Sequence, residues 1–352
     1  MKILVVHYVN KIFKDDTMVF CDGLKKLGHE IVLVDFFEKN EDLFIKKVSE
    51  TELKDVDLIW APYEIEIIAG NYFKNLLNKP LIGHFEWIAP WRVGDDPFYW
   101  GYDETNIKEI NKYFNYFNKK YTDLSYKYFN FCDFRTVIDP FVKSTIEKFN
   151  KREILKSFNK PYIVDDKLLL SQTDTSIKPK YQIMSTARLV PHKRIHHIIQ
   201  ALAKVKNAPT YKVIGSGSEK HRLIKLAEDL KVDVEFVGTG QDGEKAKLIQ
   251  ESLFSINIWA GLPTAESAVF KKHSLVYDHI CAHHASGTMS TYIKWNDIDD
   301  LAENIQYLID NPKICKKNGE KSYDSLMSGE NGILTTEKAC LKLESIFKEV
   351  LK

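Results

Sequence analysis

Tyr181–Leu202 reads YQIMSTARLVPHKRIHHIIQAL, and Tyr211–Leu230 reads YKVIGSGSEKHRLIKLAEDL. Each begins with a short apolar run of strand length, Tyr181–Ser185 and Tyr211–Ile214. After a polar or glycine-containing break, each continues with an apolar stripe at helical spacing. The first stripe is Ile195, Ile198, Ile199, Leu202 and Val205; the second is Leu223, Leu226, Ala227 and Leu230. The same unit recurs downstream. Val234–Val237, Phe254–Ile258 and Ser274–Tyr277 read as strands, and Glu244–Glu251 and Thr264–Lys271 as the helices between them. Strict alternation of strand and helix predicts a doubly wound parallel sheet.

Outward from this block, Leu301, Ile305 and Leu308 mark another helix. The chain closes on an amphipathic helix carrying Leu343, Ile346, Phe347, Val350 and Leu351. At the other end, Lys2–Val6 is a strand. Thr17 can cap a helix with Phe20, Leu24 and Leu27 on one face, Gly28 ends it, and Ile31–Val34 follows as a second strand. Val56–Trp60, Pro80–Gly83 and Cys132–Ile138 read as further strands, and Pro140–Phe149 as a helix. Between them Trp87, Trp91, Phe98, Tyr99, Trp100 and Tyr102 form an aromatic patch suited to packing, or to an acceptor surface or membrane interface. Lys151–Pro179 is less regular and reads as the approach to an interdomain hinge.

At 352 residues, 44% of them apolar, the chain is long for one core and can bury two. The expected division is an N-terminal domain over residues 1–172, a second over residues 173–332, and a returning helix over residues 333–352. A formal net charge of +1 gives no global field to select nucleic acid. Five dispersed cysteines without a CxxC pair fit a reducing compartment. No apolar run reaches bilayer length, and MKILVVHYV reads as a strand, not a leader. A cytoplasmic protein is expected, with peripheral membrane contact left open.

Ligands of doubly wound sheets bind beyond the carboxyl ends of the strands. Arg188 and Lys193 follow the first strand of the block, where a fork and a compact charge can meet a diphosphate. Taken alone, they are equally compatible with a pair of solvated cations. Gly215 and Gly217 follow the next strand; GSGSE is not GxGxxG, so a nicotinamide fingerprint is absent. Gly238 and Gly240 follow the third strand, which ends at Val237. After the fourth comes WAGLPTAE, with Thr264 as a plausible cap and Glu266 in the first turn of the helix. There Glu266 would serve either the helix dipole or ribose hydroxyls.

STARLVPHKRIHHIIQAL, YKVIGSGSEKHRLIKLAEDL, VEFVG and GLPTAESA together resemble the C-terminal domain of retaining glycosyltransferases of family four. The resemblance is strong from Lys180 to Asp278 and weaker through Asn296–Asp310. It implies the GT-B fold: two Rossmann-like doubly wound domains about a cleft, with the last helix crossing back. It further implies a retaining, metal-independent enzyme without a cofactor. Such an enzyme moves a hexosyl group from a UDP- or GDP-type sugar to a hydroxyl of a glycan, lipid or small molecule. By the same resemblance, Arg188 and Lys193 grip the diphosphate, Gly215 and Gly217 border the nucleotide, Val237 and Gly238 lie along the base, and Glu266 holds the ribose. His84, after Pro80–Gly83, stands where the N-terminal domain presents a residue to the transferred sugar; a lone histidine there is otherwise structural.

Two departures stand out. The family pairs two glutamates with seven residues between them, and Ile258 occupies the first place. The first N-terminal loop, Tyr8–Thr17, lacks the family's adjacent glycines. Ile258 motivates a second reading, a nucleotide-sugar-binding protein with little transfer activity; an epimerase or hydrolase on the same fold is a third. Asp278, His279, Cys281, His283 and His284 are metal-capable without zinc spacing, so a polar loop is the expectation. The acidic pairs Asp15-Asp16, Asp95-Asp96 and Asp165-Asp166 carry no metal signature either.

Overall fold

The computed structural model describes residues 1–9, 16–39, 42–46, 48–63, 66–85, 131–137, 157–239 and 243–352. The expected helix Pro140–Phe149, the patch Trp87–Tyr102, Asp15, Asp95-Asp96, Gly240 and the Cys281 side chain lie outside what is described. The chain divides into two units. Of the described residues, one is built from those up to Ile163 together with Thr336–Lys352, the other from Val164–Thr335.

In the first unit β1 (Lys2–Tyr8), β2 (Glu30–Lys39), β3 (Asp42–Ile45), β4 (Leu58–Ala61), β5 (Leu81–Phe85), β6 (Phe134–Val137) and β7 (Ser157–Asn159) form one sheet, in the order β3-β2-β1-β4-β5-β6-β7. All neighbours are parallel except β3, which folds back antiparallel on β2. Ile3, Leu4, Val5 and Val6 are all completely buried. An unbroken apolar strand of this kind is what a parallel sheet covered on both faces requires. Helix α1 (Thr17–Lys26) starts after Asp16, so Thr17 is its first residue and not its cap; Gly28, at φ +86°, closes it. Helices α2 (Glu50–Leu53) and α3 (Ile67–Leu77) follow β3 and β4.

Lys151–Pro179 is more structured than its irregular composition implies. Besides β7 it holds β8 (Tyr162–Val164) and α4 (Asp166–Ser171), which Asp165 caps by accepting the Leu168 N–H at 3.1 Å. Elements of three to six residues are too short to show a period.

In the second unit β9 (Gln182–Thr186), β10 (Thr210–Ile214), β11 (Val234–Gly238), β12 (Ser255–Ile256), β13 (Ser274–Tyr277) and β14 (Ser290–Ile293) pair in the order β11-β10-β9-β12-β13-β14, all parallel. The helices are α5 (Ile195–Leu202), α6 (Lys220–Asp229), α7 (Glu244–Glu251), α8 (Leu262–Val269), α9 (Ile280–Ser286), α10 (Ile298–Asp310) and α11 (Pro312–Ser328), before the short strand β15 (Ile333–Thr335). The core gathers Ile183, Ile198, Ile199, Tyr211, Val213, Phe254 and Leu275. The strand order runs outward to one side from β9 and to the other from β12. The crevice between their carboxyl ends is the topological switch point where such sheets bind ligands.

The last helix, α12 (Thr336–Val350), belongs to the first unit and packs on α1. Gly23 makes the approach possible, because a Cβ there would lie 2.2 Å from the Cys340 Sγ. Phe347 is fully buried against Trp60, ring centroids 5.7 Å apart. The architecture is that of the GT-B fold: two such sheets, with a final helix on the first. Among the described residues no helix is long and apolar enough to cross a membrane.

Candidate functional site

The loop leaving β9 carries the first cations. It is laced to the loop leaving β10: Ala187 N–H donates to the Ile214 carbonyl at 3.0 Å, and Leu189 N–H to that of Ser216 at 2.8 Å. This lacing explains the two glycines. A Cβ on Gly215 would sit 1.8 Å from the Ala187 oxygen and one on Gly217 2.3 Å from that of Leu189, and both residues hold positive φ. Their freedom is thus spent on fitting one loop beneath the other. Gly215 N–H also reaches the Gly238 carbonyl at 2.6 Å, so the ends of β10 and β11 are tied as well. Val237 is half-buried against Met184, Ile214, Leu248 and Ile249, and Gly238 is left-handed with no described atom where a Cβ would be.

Arg188 is exposed, while Lys193 ends a 3-10 turn, Pro191–Lys193, two residues before α5. Burial, with Arg188 adding its repulsion, pushes the Lys193 ammonium down to about 8. His192 is pushed down to about 3 by burial and by the charges of Lys193, Arg188 and Arg194. The His192 ring therefore lies within electrostatic reach of three cations, Arg188 and Lys193 among them. Arg194 was not anticipated. It is left-handed at φ +52°, is buried, stacks on Trp295 at 4.9 Å and donates to Asn296 Oδ1. Its partners lie about a hundred residues away in sequence, so no local pattern announces it.

The loop after β12 corrects two expectations. Helix α8 begins at Leu262, capped by Gly261 at φ +87° with Pro263 in its first turn. Proline is tolerated there because the first-turn N–H groups have no partner within the helix. Thr264 is thus an interior residue, and Glu266 falls in the second turn, where the helix dipole does not account for it. Glu266 is 16% exposed at its side chain, and its Oε1 takes a 2.6 Å ion pair from Lys245 of α7, a partner the sequence did not suggest. Ile258 is 3% exposed and packed in the core with Tyr277 and Leu275. The first family glutamate is therefore replaced by a core side chain.

Trp259 extends the site toward β13. Its indole N–H donates to the His192 carbonyl, and its ring meets those of His279 at 4.9 Å and Trp295 at 5.6 Å. Of the histidine-rich segment, His283 pairs with Asp278 at 2.6 Å and stacks on Tyr292 at 4.0 Å. Among the described residues no group of three or more His, Cys, Asp or Glu side chains is arranged to hold a metal ion.

His84 is placed differently from expectation. β5 continues to Phe85, so His84 lies inside the strand rather than beyond it, and is 0% exposed. Its Nδ1 is 3.0 Å from Thr136 Oγ1. Burial, and then the nearby Lys160 charge, hold its pKa well below the ordinary value. The imidazole is thus neutral and enclosed within β5. The carboxyl ends of the first sheet instead hold a polar group unseen in the sequence. Buried Glu66 accepts the N–H groups of Tyr8 at 3.0 Å and Tyr63 at 2.9 Å. Asp16 accepts the Tyr63 hydroxyl at 3.0 Å and pairs at 3.2 Å with Lys160, whose side chain is 1% exposed. An acid inside the apolar run after a strand, as in YEIEII, was the available signal for Glu66.

Residues 170–325 match the family model described as glycosyl transferases group 1. No curated protein sequence matches the chain. Among solved structures, HepE from Anabaena in complex with UDP and glucose aligns with TM-score 0.66 and 13% identity, covering 99% of this chain and 100% of that one. Sucrose-phosphate synthase from Thermosynechococcus elongatus aligns with TM-score 0.70 and 12% identity, covering 99% and 98%. A glycosyltransferase from Rickettsia africae aligns with TM-score 0.69 and 14% identity, covering 100% and 98%. At such identities the likeness is one of fold.

Proposed function

We propose, for a chain whose residues 170–325 match the group 1 glycosyl transferases, that it moves a hexosyl group from a UDP-sugar to an acceptor hydroxyl with retention of configuration. The observation that carries this reading is the position of Arg188 and Lys193 on the segment that leaves β9, beside the switch point of the second sheet and near enough for their charges to repel. As the glycosidic bond breaks, negative charge grows on the departing diphosphate. A guanidinium fork and an ammonium fixed beside it stabilise that charge without a metal ion. Glu266, steadied by Lys245, accepts from the ribose hydroxyls, and the glycine-tied ends of β10 and β11 border the base. Uridine as the base is supported by the UDP held in HepE. The leaving oxygen takes the acceptor proton, which accounts for retention. Transfer to a glycan, lipid or small-molecule hydroxyl uses the same donor chemistry.

Incubation of the chain with UDP-glucose and a panel of hydroxyl acceptors, followed by NMR of the products, tests this. An α-linked product is expected from the α-linked donor; a β-linked product contradicts the mechanism. Buried Ile258 favours a second reading, a nucleotide-sugar-binding protein. Tight UDP-glucose binding with neither transfer nor hydrolysis selects it.

A further inference from the structure

His279 lies two residues beyond β13 and meets Trp259 of the loop that leaves β12. The residue is 8% exposed, and its ring is held by Trp259 at 4.9 Å and Trp295 at 5.4 Å. Its Nδ1 accepts the Ala282 N–H at 3.2 Å, so in the neutral ring the proton sits on Nε2. That buried Nε2–H has no hydrogen-bond partner among the described residues. A buried donor left unpaired costs about 1–3 kcal/mol, an expense uncommon in a native structure without a reason. Burial leads the causes that push the ring down to about 4; the charges of His283, Lys193 and Arg194 contribute, against Asp278. The ring is thus neutral at physiological pH, a donor of one proton in fixed orientation. It also stands within electrostatic reach of the cation beside which the diphosphate is placed.

Resting on the donor-site reading above, we propose that His279 is a further donor-binding residue, its Nε2–H donating to a phosphate oxygen of the nucleoside diphosphate. Trp259 links the two halves of this arrangement, since one ring touches His279 while its indole N–H holds the His192 carbonyl beside Lys193. A neutral donor complements the two cations. It adds direction to the grip on the diphosphate without adding to a positive charge that already depresses Lys193.

The two ring nitrogens do separate work, and that makes the assignment testable. In His279→Asn, Oδ1 can take over the cap to Ala282, because asparagine is a good helix cap. The shorter side chain cannot reach where Nε2 stands. His279→Ala loses both. Calorimetric titration of the full-length chain with UDP is read beside its melting temperature. His279→Asn is expected to melt with the wild type and to bind UDP about tenfold more weakly, as fits one hydrogen bond to a charged group. His279→Ala is expected to lose both affinity and melting temperature. Wild-type affinity in His279→Asn, beside weakened binding in Arg188→Ala, overturns the His279 assignment alone. A wild-type chain that binds no UDP overturns this assignment together with the reading it rests on.

Discussion

Lys193 shows how one side chain's surroundings set a measurable pH dependence. Its folded pKa of about 8 lies below the ordinary 10.5, so folding disfavours its charged form. That penalty on stability is fully present below about pH 8 and fades as the pH rises toward the unfolded value. Diphosphate binding has the opposite sign, because the anion needs the ammonium. UDP affinity is expected to fall about tenfold per pH unit above pH 8, once the free ammonium has lost its proton. Lys193→Arg keeps its charge and should flatten the profile between pH 8 and 10; an equally steep fall in that variant removes Lys193 from the binding step. Gly215 makes a steric prediction. Its positive φ and the Ala187 oxygen, 1.8 Å from any added Cβ, leave no room for alanine. Gly215→Ala should lose at least about 2 kcal/mol in denaturant unfolding.

At the scale of elements, the last helix is fastened by a few side chains. Ala339, Leu343 and Phe347 are fully buried, and Phe347 meets Trp60 edge-on. Phe347→Ala should cost about 3–5 kcal/mol in urea unfolding of the full chain. A loss within the ±0.5 kcal/mol usual for surface substitutions would mean that the helix is not anchored there. The amphipathic stripe of α12 was legible in the sequence because its period is strong over fifteen residues. The β/α alternation of the second unit was legible for the same reason, and Glu244–Glu251 and Ser274–Tyr277 stand at the bounds expected for them. Where elements are short, as in β8 and α4, no period can form. The start of α8 was misread because threonine is a common cap, whereas Gly261 and Pro263 set the boundary through backbone geometry. The second strand extends well beyond the expected Ile31–Val34, and β3 went unread because four residues are too short to show a period.

At the scale of the molecule, the family resemblance and the sheet order support one account. Strand order β11-β10-β9-β12-β13-β14 places Arg188, Lys193, Glu266 and His279 on segments that follow strands at the carboxyl end of one sheet. Alternation and the Arg-Lys spacing made that end readable. The supports of the site were not readable, because each is a pairing across sequence distance: Lys245 with Glu266, Arg194 with Trp295, Trp259 with His192. Sequence periodicity carries local structure, and nothing in it records which loops meet. The departure at Ile258 was plain in the sequence. Its burial shows that the side chain has joined the core, so a carboxylate restored by Ile258→Glu would need to leave that core to meet a sugar.

The central claim is that Arg188 and Lys193 form the diphosphate grip of a nucleotide-sugar site. Isothermal titration of UDP into the wild-type chain and into the double variant Arg188→Ala/Lys193→Ala tests it most directly. Removing two charge-assisted contacts is expected to weaken binding by a factor on the order of a hundred or more, with the fold retained by circular dichroism. Equal UDP affinity in the two proteins would contradict the account.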